Sequence, residues 1–192
     1  LLFAVLAHDF GKPATTHQAE KHGRLRWVSP GHESAGGPPT ETFLRRIGAP
    51  HALVDSVRPL VILHMVHHSG NGMFSDSMVR RLARQLHPAT IDDLCAVMMA
   101  DSLGRPPLHS PETHALIEKL RALSHALDLQ TAAPHPILLG RHLLAAGLQA
   151  GPAFKPVLDD AFEAQLDGAF HDESTALIWL RNYLKDRGGT KS

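Results

Sequence analysis

The stretch LLFAVLAHDFGKP, residues 1–13, joins seven apolar residues directly to a neighbouring imidazole and carboxylate, His8 and Asp9. An apolar run of this length without alternation predicts a buried helix rather than a strand. A His-Asp pair at the end of a buried helix is costly to desolvate unless something binds it, and a divalent metal ion accepts both nitrogen and oxygen ligands. The alternative is an ordinary exposed helix end. Further His and Asp residues recur downstream, and that recurrence favours the metal.

The composition indicates a globular protein without a strong overall charge. The chain has 192 residues, of which 43% are hydrophobic and 20% charged, enough for one core or a domain with a smaller appendage. Lys and Arg total 19 and match the 19 Asp and Glu, so the net charge of the chain does not indicate nucleic-acid binding. Cys95 lies alone in an apolar stretch and predicts a small core residue in a reducing, cytoplasmic compartment. No run of about 20 apolar residues predicts a membrane span.

Fifteen His residues are more than packing requires, and neutral imidazole is the commonest metal ligand. Five of them stand among polar residues and are predicted to be solvated: His17, His22, His109, His114 and His125.

Helical patterns dominate the chain, and no strand pattern of any length appears, so the predicted fold class is all-α: a helical bundle with a C-terminal helical tail subdomain. Residues 14–30 predict a long polar loop, in which residues 24–28 form at most a short extended piece. The predicted helices cover residues 40–47, 52–68, 91–101, 111–129, 137–147, 152–166 and 172–186, and a further helix is capped by Ser75 or Ser77 and ends at Leu86. A short turn precedes the first of these helices, Pro59 kinks the second, and Thr90 caps the helix at 91–101.

The Pro-containing stretch 130–136 predicts a linker, which divides the chain into a domain at residues 1–129 and a tail at residues 137–187. The chain begins with Leu inside an apolar helix, with no basic region ahead of it. The simplest interpretation is a C-terminal piece of a longer protein.

Three His residues lie at the end of the second long apolar segment. His64 follows Leu60 by four residues and Val57 by seven, which places it on the buried stripe of the helix. His67 and His68 come next. The partial negative charge at a helix C-terminus stabilises protonated imidazole, which explains these two residues without any role as metal ligands. For His64 that explanation is weaker, because it lies on the apolar face.

This pattern predicts a metal-dependent hydrolase of phosphate esters, because metal ions lower the pKa of water and act as Lewis acids. Asp101 ends a buried run as Asp9 does, and a bridging Asp9 and a phosphate-contacting Lys12 are the predicted catalytic residues. The mixed N/O set suits Mn, Mg, Ni, Co, Fe or Zn, and the lack of a Cys set disfavours structural zinc. The predicted metal ligands are His8, Asp9, His32, His64 and Asp101.

Basic residues cluster in the segment that ends at Leu86. Arg80, Arg81 and Arg84 there are either a solvated face or a phosphate contact, with even weight. Arg80, Arg81 and Arg105 are the predicted phosphate- or RNA-binding residues.

In this order, the motifs resemble the HD-domain metal-dependent phosphohydrolase superfamily. They are His8-Asp9 with Gly11-Lys12, Gly31-His32-Glu33, His64, and Ala100-Asp101. More narrowly, the chain resembles the HD-containing C-terminal region of bacterial tRNA nucleotidyltransferases (CCA-adding enzymes) and related poly(A) polymerases. The stretches that carry this closer resemblance are residues 8–16, 31–46, 79–83, 140–144, 147–148 and 162–168.

The resemblance implies phosphatase, nucleotidase or cyclic phosphodiesterase activity on nucleotides or RNA ends for residues 1–129, and tRNA contact for the tail and the Arg cluster. The superfamily's site begins with a His upstream of the His-Asp pair, which this sequence does not contain. The absence of this His therefore implies weaker metal binding, with water or a neighbouring residue such as His67 completing the set of metal ligands.

The nucleotide-transferring head of the family is also missing from this sequence, so the chain by itself is not expected to add nucleotides. The alternative function is a non-catalytic tRNA-binding body with a vestigial metal site. Satisfied core groups without any ligand are the least favoured interpretation.

Overall fold

The computed structural model describes residues 1–68, 73–104 and 110–188. Within them the fold is predominantly helical, which confirms the predicted class. A 3-10 turn at Val66–His68 and two strands, β1 (His17–Lys21) and β2 (Arg24–Val28), complete the regular structure. The helices are α1 (Leu2–Ala7), α2 (Lys12–Thr15), α3 (His32–Ala35), α4 (Gly37–Arg46), α5 (His51–Leu63), α6 (Asp76–Leu86), α7 (Ile91–Leu103), α8 (Pro111–Ala126), α9 (Gly140–Ala145), α10 (Phe154–Leu166) and α11 (Glu173–Gly188).

A β-hairpin occupies most of the segment that the sequence analysis assigned to a loop. Its second strand, β2, is the short extended piece expected at residues 24–28, whereas the first strand, β1, was not predicted. β1 and β2 pair antiparallel from His17 opposite Val28 to Lys21 opposite Arg24. The two turn residues, His22 and Gly23, have φ of 53° and 72°, the left-handed backbone that two-residue hairpin turns favour. The ribbon is mostly exposed on both faces. It therefore lacks the apolar alternation by which strands are recognised in a sequence.

The opening apolar run forms α1, but only one face of it is buried. Ala4 and Ala7 are fully buried, whereas Leu1, Leu2 and Leu6 are more than half exposed. α1 packs against α5 and α7 through its small residues. Close packing at these alanines brings the end of α1 next to the ends of the two longer helices.

Helix α4 begins three residues earlier than predicted. Its Pro38 and Pro39 occupy the first turn, where a proline's missing N–H leaves no bond unmade. Gly36 and Gly37 lie against α5, and a Cβ on either would stand 3.0 Å from the side chain of Val61 or Ile62. The glycines thus permit the close approach of α4 to α5.

The caps predicted at Ser75 and Thr90 are confirmed, because each side chain accepts a hydrogen bond from the third residue of its helix. Ser110 caps α8 in the same way. Helix α7 runs two residues further than predicted, to Leu103, while α5 stops at Leu63 and is followed by the 3-10 turn. Cys95 is buried in the core, as predicted.

The chain divides into two compact units, Leu1–Ala133 and Pro134–Ser192. The first has a core built on α5, α6, α7 and α8. The second packs α9, α10 and α11 around Leu143, Phe170 and Leu180. The assignment of these units as a catalytic domain and an RNA-contacting tail stays a prediction. No helix in the described ranges has both the length and the apolar character needed to cross a membrane.

Candidate metal centre

The predicted ligands lie at the ends of four helices. His8 is the C-terminal cap of α1, Asp9 follows it, and His64 caps α5 in the same way. His32 is the first residue of α3, and Asp101 lies in the last turn of α7. Because α1 packs on both α5 and α7, and α3 packs on α5, these ends meet in the first unit.

The five side chains form one cluster. His8 Nε2 lies 3.3 Å from Asp9 Oδ2 and 3.3 Å from Asp101 Oδ1. His32 Nε2 is 3.4 Å from the other oxygen of Asp9. Asp9, His32 and His64 each offer a ligand atom within 4.8 Å of the other two, and the His64 ring contacts both other imidazoles edge-on. The structure thus brings together all the side chains predicted to bind a metal, while metal binding itself stays a prediction.

Each imidazole of the cluster is oriented by a backbone carbonyl of its own helix or loop. The Nδ1 atoms of His8, His32 and His64 lie 2.7, 2.8 and 2.7 Å from the carbonyl oxygens of Val5, Ser29 and Val61. A carbonyl only accepts, so Nδ1 carries the proton in all three rings. In the neutral ring the lone pair is then on Nε2, the atom that faces the cluster. Fixing the tautomer through the outer nitrogen is how proteins orient metal-ligating imidazoles.

His64 gives the strongest sign that the cluster suits a cation. The residue is fully buried, and its Nε2 has no hydrogen-bond partner in the described part of the chain. Burial, together with the neighbouring rings of His8 and His32, lowers the pKa of His64, so the ring is neutral near pH 7. A buried acceptor without a donor is unfavourable, and a cation at this point would satisfy it. The residues present therefore fit a divalent metal.

The two carboxylates and Lys12 set the charge of the cluster. A hydrogen bond that the His8 ring donates to the Asp101 carboxylate, with smaller contributions from the Val5 carbonyl and the Asp9 charge, raises the pKa of His8 despite its burial. Lys12 Nζ lies 2.6 Å from Asp9 Oδ2 and its side chain is 45% exposed. The Lys12 ammonium group is therefore available to an anion that approaches from solvent while it holds the Asp9 carboxylate in place.

A cavity of about 230 Å³ opens beside the cluster. Asp9, His32 and Asp101 form part of its wall, and Lys12 lies on it as well. This volume is below the roughly 300–1,000 Å³ of sites that enclose a drug-sized ligand. The described part of the cavity therefore has room for a phosphate group and its ester oxygen.

The rest of the cavity wall includes hydroxyl residues that the sequence analysis did not select, together with His67, which it named as a residue that could complete the ligand set. Ser102, Ser110 and Thr113 contribute hydroxyls, and His67 contributes a ring. His67 is buried with its Nδ1 3.1 Å from Met98 Sδ, and burial lowers its pKa to about 4. The only sequence signal for Ser102 was its position next to Asp101.

The expectation that His114 is merely solvated was wrong. His114 is half-buried and its Nε2 lies 3.0 Å from the hydroxyl of Ser102, which is 5% exposed. His114 lies in the first turn of α8, where the residues just before it in the sequence are polar. That turn packs against the end of α7, and the local sequence carries no sign of this contact.

Two curated proteins are similar in sequence to this chain. It is 31% identical over 193 aligned positions to the A-adding tRNA nucleotidyltransferase of Deinococcus radiodurans, a match that covers 99% of this chain and 43% of that protein. It is 32% identical over 108 positions to the Multifunctional CCA protein of Laribacter hongkongensis, covering 54% of this chain and 25% of that protein. The chain is related to tRNA nucleotidyltransferases.

That relationship bears out the resemblance to tRNA nucleotidyltransferases seen in the sequence, whereas the HD-domain assignment and the resemblance to poly(A) polymerases stay predictions. The chain spans less than half the length of the two curated proteins that it matches. No protein-family model matches it, and a search of the solved structures finds no significant match.

Two of the predicted RNA-binding arginines, Arg80 and Arg81, do not belong to the described part of the cavity wall. Arg80 and Arg81 lie on α6, and neither is among the described residues that line the cavity. The Arg80 side chain is 16% exposed and its guanidinium is 3.8 Å from Asp76 Oδ2. Arg81 is half-buried. Arg105, like His109, lies outside the described residues, so phosphate or RNA contact by these arginines stays a prediction.

Proposed function

We propose that this chain is a metal-dependent phosphohydrolase of the HD type, acting on nucleotides or RNA ends as part of a tRNA nucleotidyltransferase-like protein. The observation that carries the proposal is the cluster in which three oriented imidazoles face Asp9 and Asp101 beside a phosphate-sized cavity. The unpartnered, buried Nε2 of His64 supports a cation at the centre of that cluster.

In this proposal His8, Asp9, His32, His64 and Asp101 hold a divalent ion. When bound, such an ion supplies Lewis acidity and a water of lowered pKa. Lys12 neutralises the charge of a phosphate oxygen and keeps the Asp9 carboxylate oriented through its 2.6 Å contact. The described part of the cavity has room for the phosphate group, which supports substrates that share an accessible phosphate ester.

The test is Mn²⁺ binding and hydrolysis of 4-nitrophenyl phosphate and 2′,3′-cyclic nucleotides by the full chain. We expect Mn²⁺ to raise the melting temperature of the wild type, because a ligand that binds only the folded state stabilises it. Asp101→Asn should lose most of this shift and at least about tenfold in turnover, since it removes a ligand charge beside His8. Asp55→Asn, at an exposed position of α5, is the matched control. Unchanged metal response in Asp101→Asn would contradict the proposal.

We propose as the second candidate that the chain is a tRNA-binding body for a nucleotidyltransferase. The names of the two relatives support it, because one adds A to tRNA and the other is a CCA protein. Binding of a tRNA transcript should weaken steeply between low and moderate salt, and Arg81→Ala should reduce the salt slope by about one. Arg45→Ala, at an exposed site paired with Glu41 on α4, is the control. Equal slopes in wild type and Arg81→Ala would exclude this residue as a phosphate contact.

A further inference from the structure

One wall of the cavity is built from hydroxyl groups at the junction of α7 and α8. Ser102 follows Asp101 on α7, while Ser110 and Thr113 belong to the cap and first turn of α8. All three line the same cavity as Lys12. Hydroxyls beside the Lys12 ammonium group suit an anion with several acceptor oxygens, because a hydroxyl that is not engaged elsewhere can donate one hydrogen bond to it.

Ser102 differs from the other two hydroxyls in its burial and in its partner. The residue is 5% exposed, and its Oγ lies 3.0 Å from Nε2 of His114. Ser110, by contrast, is already engaged, because its hydroxyl donates to Glu112 at 2.6 Å and accepts from the Thr113 N–H. Ser102 is therefore the buried hydroxyl of this wall whose orientation is set by a neighbouring side chain.

The direction of the Ser102–His114 hydrogen bond decides what the hydroxyl offers to the cavity. If His114 Nε2–H donates to Ser102 Oγ, the serine proton is left to donate to an anion in the cavity. The two bonds in series then polarise each other, which strengthens the bond to the anion.

We propose that Ser102 is a phosphate-binding residue of this cavity and that His114 is the positioning residue that directs its hydroxyl. The inference deepens the proposed function and rests on it for the nature of the ligand, a phosphate ester. Ser102 and Lys12 then bind phosphate oxygens beside the metal cluster. Neither Ser102 nor His114 belongs to the predicted ligand set, so their loss leaves metal binding intact.

The test is calorimetric titration of inorganic phosphate into the Mn²⁺-equilibrated full chain. A hydrogen bond to a charged group is worth enough to weaken binding about tenfold or more when it is lost. We expect this loss in both Ser102→Ala and His114→Ala. The double variant should lose no more than either single one, because the two residues act through one hydrogen bond. His114→Gln keeps a side-chain donor and should recover part of the affinity.

Matched controls lie on α8. Ser124→Ala removes a fully buried hydroxyl that bonds the Arg121 carbonyl, and His125→Ala removes a His near Asp92; neither lines the cavity. Both should bind phosphate as the wild type does. Ser102→Cys keeps the side-chain shape, at a slightly larger volume, with only a weak S–H donor, and it replaces Ser102→Ala if that variant does not fold.

The outcomes separate this inference from the proposed function. The inference would be overturned by unchanged phosphate affinity in both single variants, by additive losses in the double variant, or by a wild type that binds no phosphate. In each case, Mn²⁺ binding and ester hydrolysis still test the proposed hydrolase function separately. Coupled losses of phosphate affinity in a chain that hydrolyses nothing would sustain the anion site and overturn the hydrolase.

Discussion

At the scale of single residues, Gly11 shows how closely the cluster is built. A Cβ at this position would stand 2.0 Å from the carbonyl oxygen of His32 and 2.7 Å from the N of Gly36. Both atoms belong to backbone, so no side-chain rotation relieves the clash, and α3 would have to move with the His32 ring attached to it. The absence of a side chain at Gly11 thus determines where one candidate ligand lies.

We therefore expect Gly11→Ala to lower the free energy of unfolding by about 1–3 kcal/mol or more, as overpacking does. It should also weaken Mn²⁺ binding, because His32 is displaced. Urea denaturation and a metal titration measure the two effects. Gly151→Ala is the matched control, since a Cβ there meets nothing within 4 Å. Equal stability of the two variants would contradict the packing described at Gly11.

At the scale of elements, α11 depends on the residue before its first turn. Oδ1 of Asp172 accepts hydrogen bonds from the Thr175 N–H at 2.8 Å and the Ser174 hydroxyl at 2.6 Å. These bonds, with the Ser174 hydroxyl contributing most, lower the pKa of Asp172 from 3.8 to about 2. The folded-state pKa lies below the unfolded one, so the ionised cap stabilises the helix above about pH 4. That contribution is lost as the pH falls from about 4 towards 2.

Asp172→Ala should accordingly lower the melting temperature at pH 7 by a few degrees, because it removes a helix cap. The difference from the wild type should shrink between about pH 4 and 2, where the wild-type cap becomes protonated. Thermal unfolding followed by circular dichroism across this pH series measures it. Asp159→Ala removes only an exposed partner of Lys155 and should change little. A constant difference at every pH would show that the carboxylate is not the cap.

At the scale of the whole molecule, the chain has two separate apolar cores. The candidate metal cluster lies entirely in the first unit, and Phe170, which is 2% exposed, is a central residue of the second. A large core truncation of this kind costs about 3–5 kcal/mol. Its effect should remain in the unit that contains it if the units fold as separate domains.

Phe170→Ala should thus destabilise the second unit while Mn²⁺ binds the chain with unchanged stoichiometry. Leu94→Ala, at a fully buried position of α7, should instead weaken metal binding, because α7 carries Asp101. Thermal unfolding with and without Mn²⁺ distinguishes the two variants. Loss of metal binding in Phe170→Ala would contradict the prediction of two domains.

Local chemistry in the sequence was enough to locate the longer helices and to place His64 on a buried face. Helix caps and apolar periodicity act over a few residues, so Ser75 and Thr90 could be recognised without any tertiary information. The first strand of the hairpin after α2 was not predicted, because neither face of the hairpin is buried and hydrophobic periodicity reports only burial.

Only the tertiary structure decided which helix ends meet. His8, His64 and Asp101 each end an apolar segment, but their separation in space depends on how α1, α5 and α7 pack, through contacts between residues far apart in the chain. The same packing brings His114 to Ser102 across the α7–α8 junction. No local pattern specifies that pair, because a hydrogen bond between separate helices follows from the geometry of the core and not from the residues adjacent to either partner.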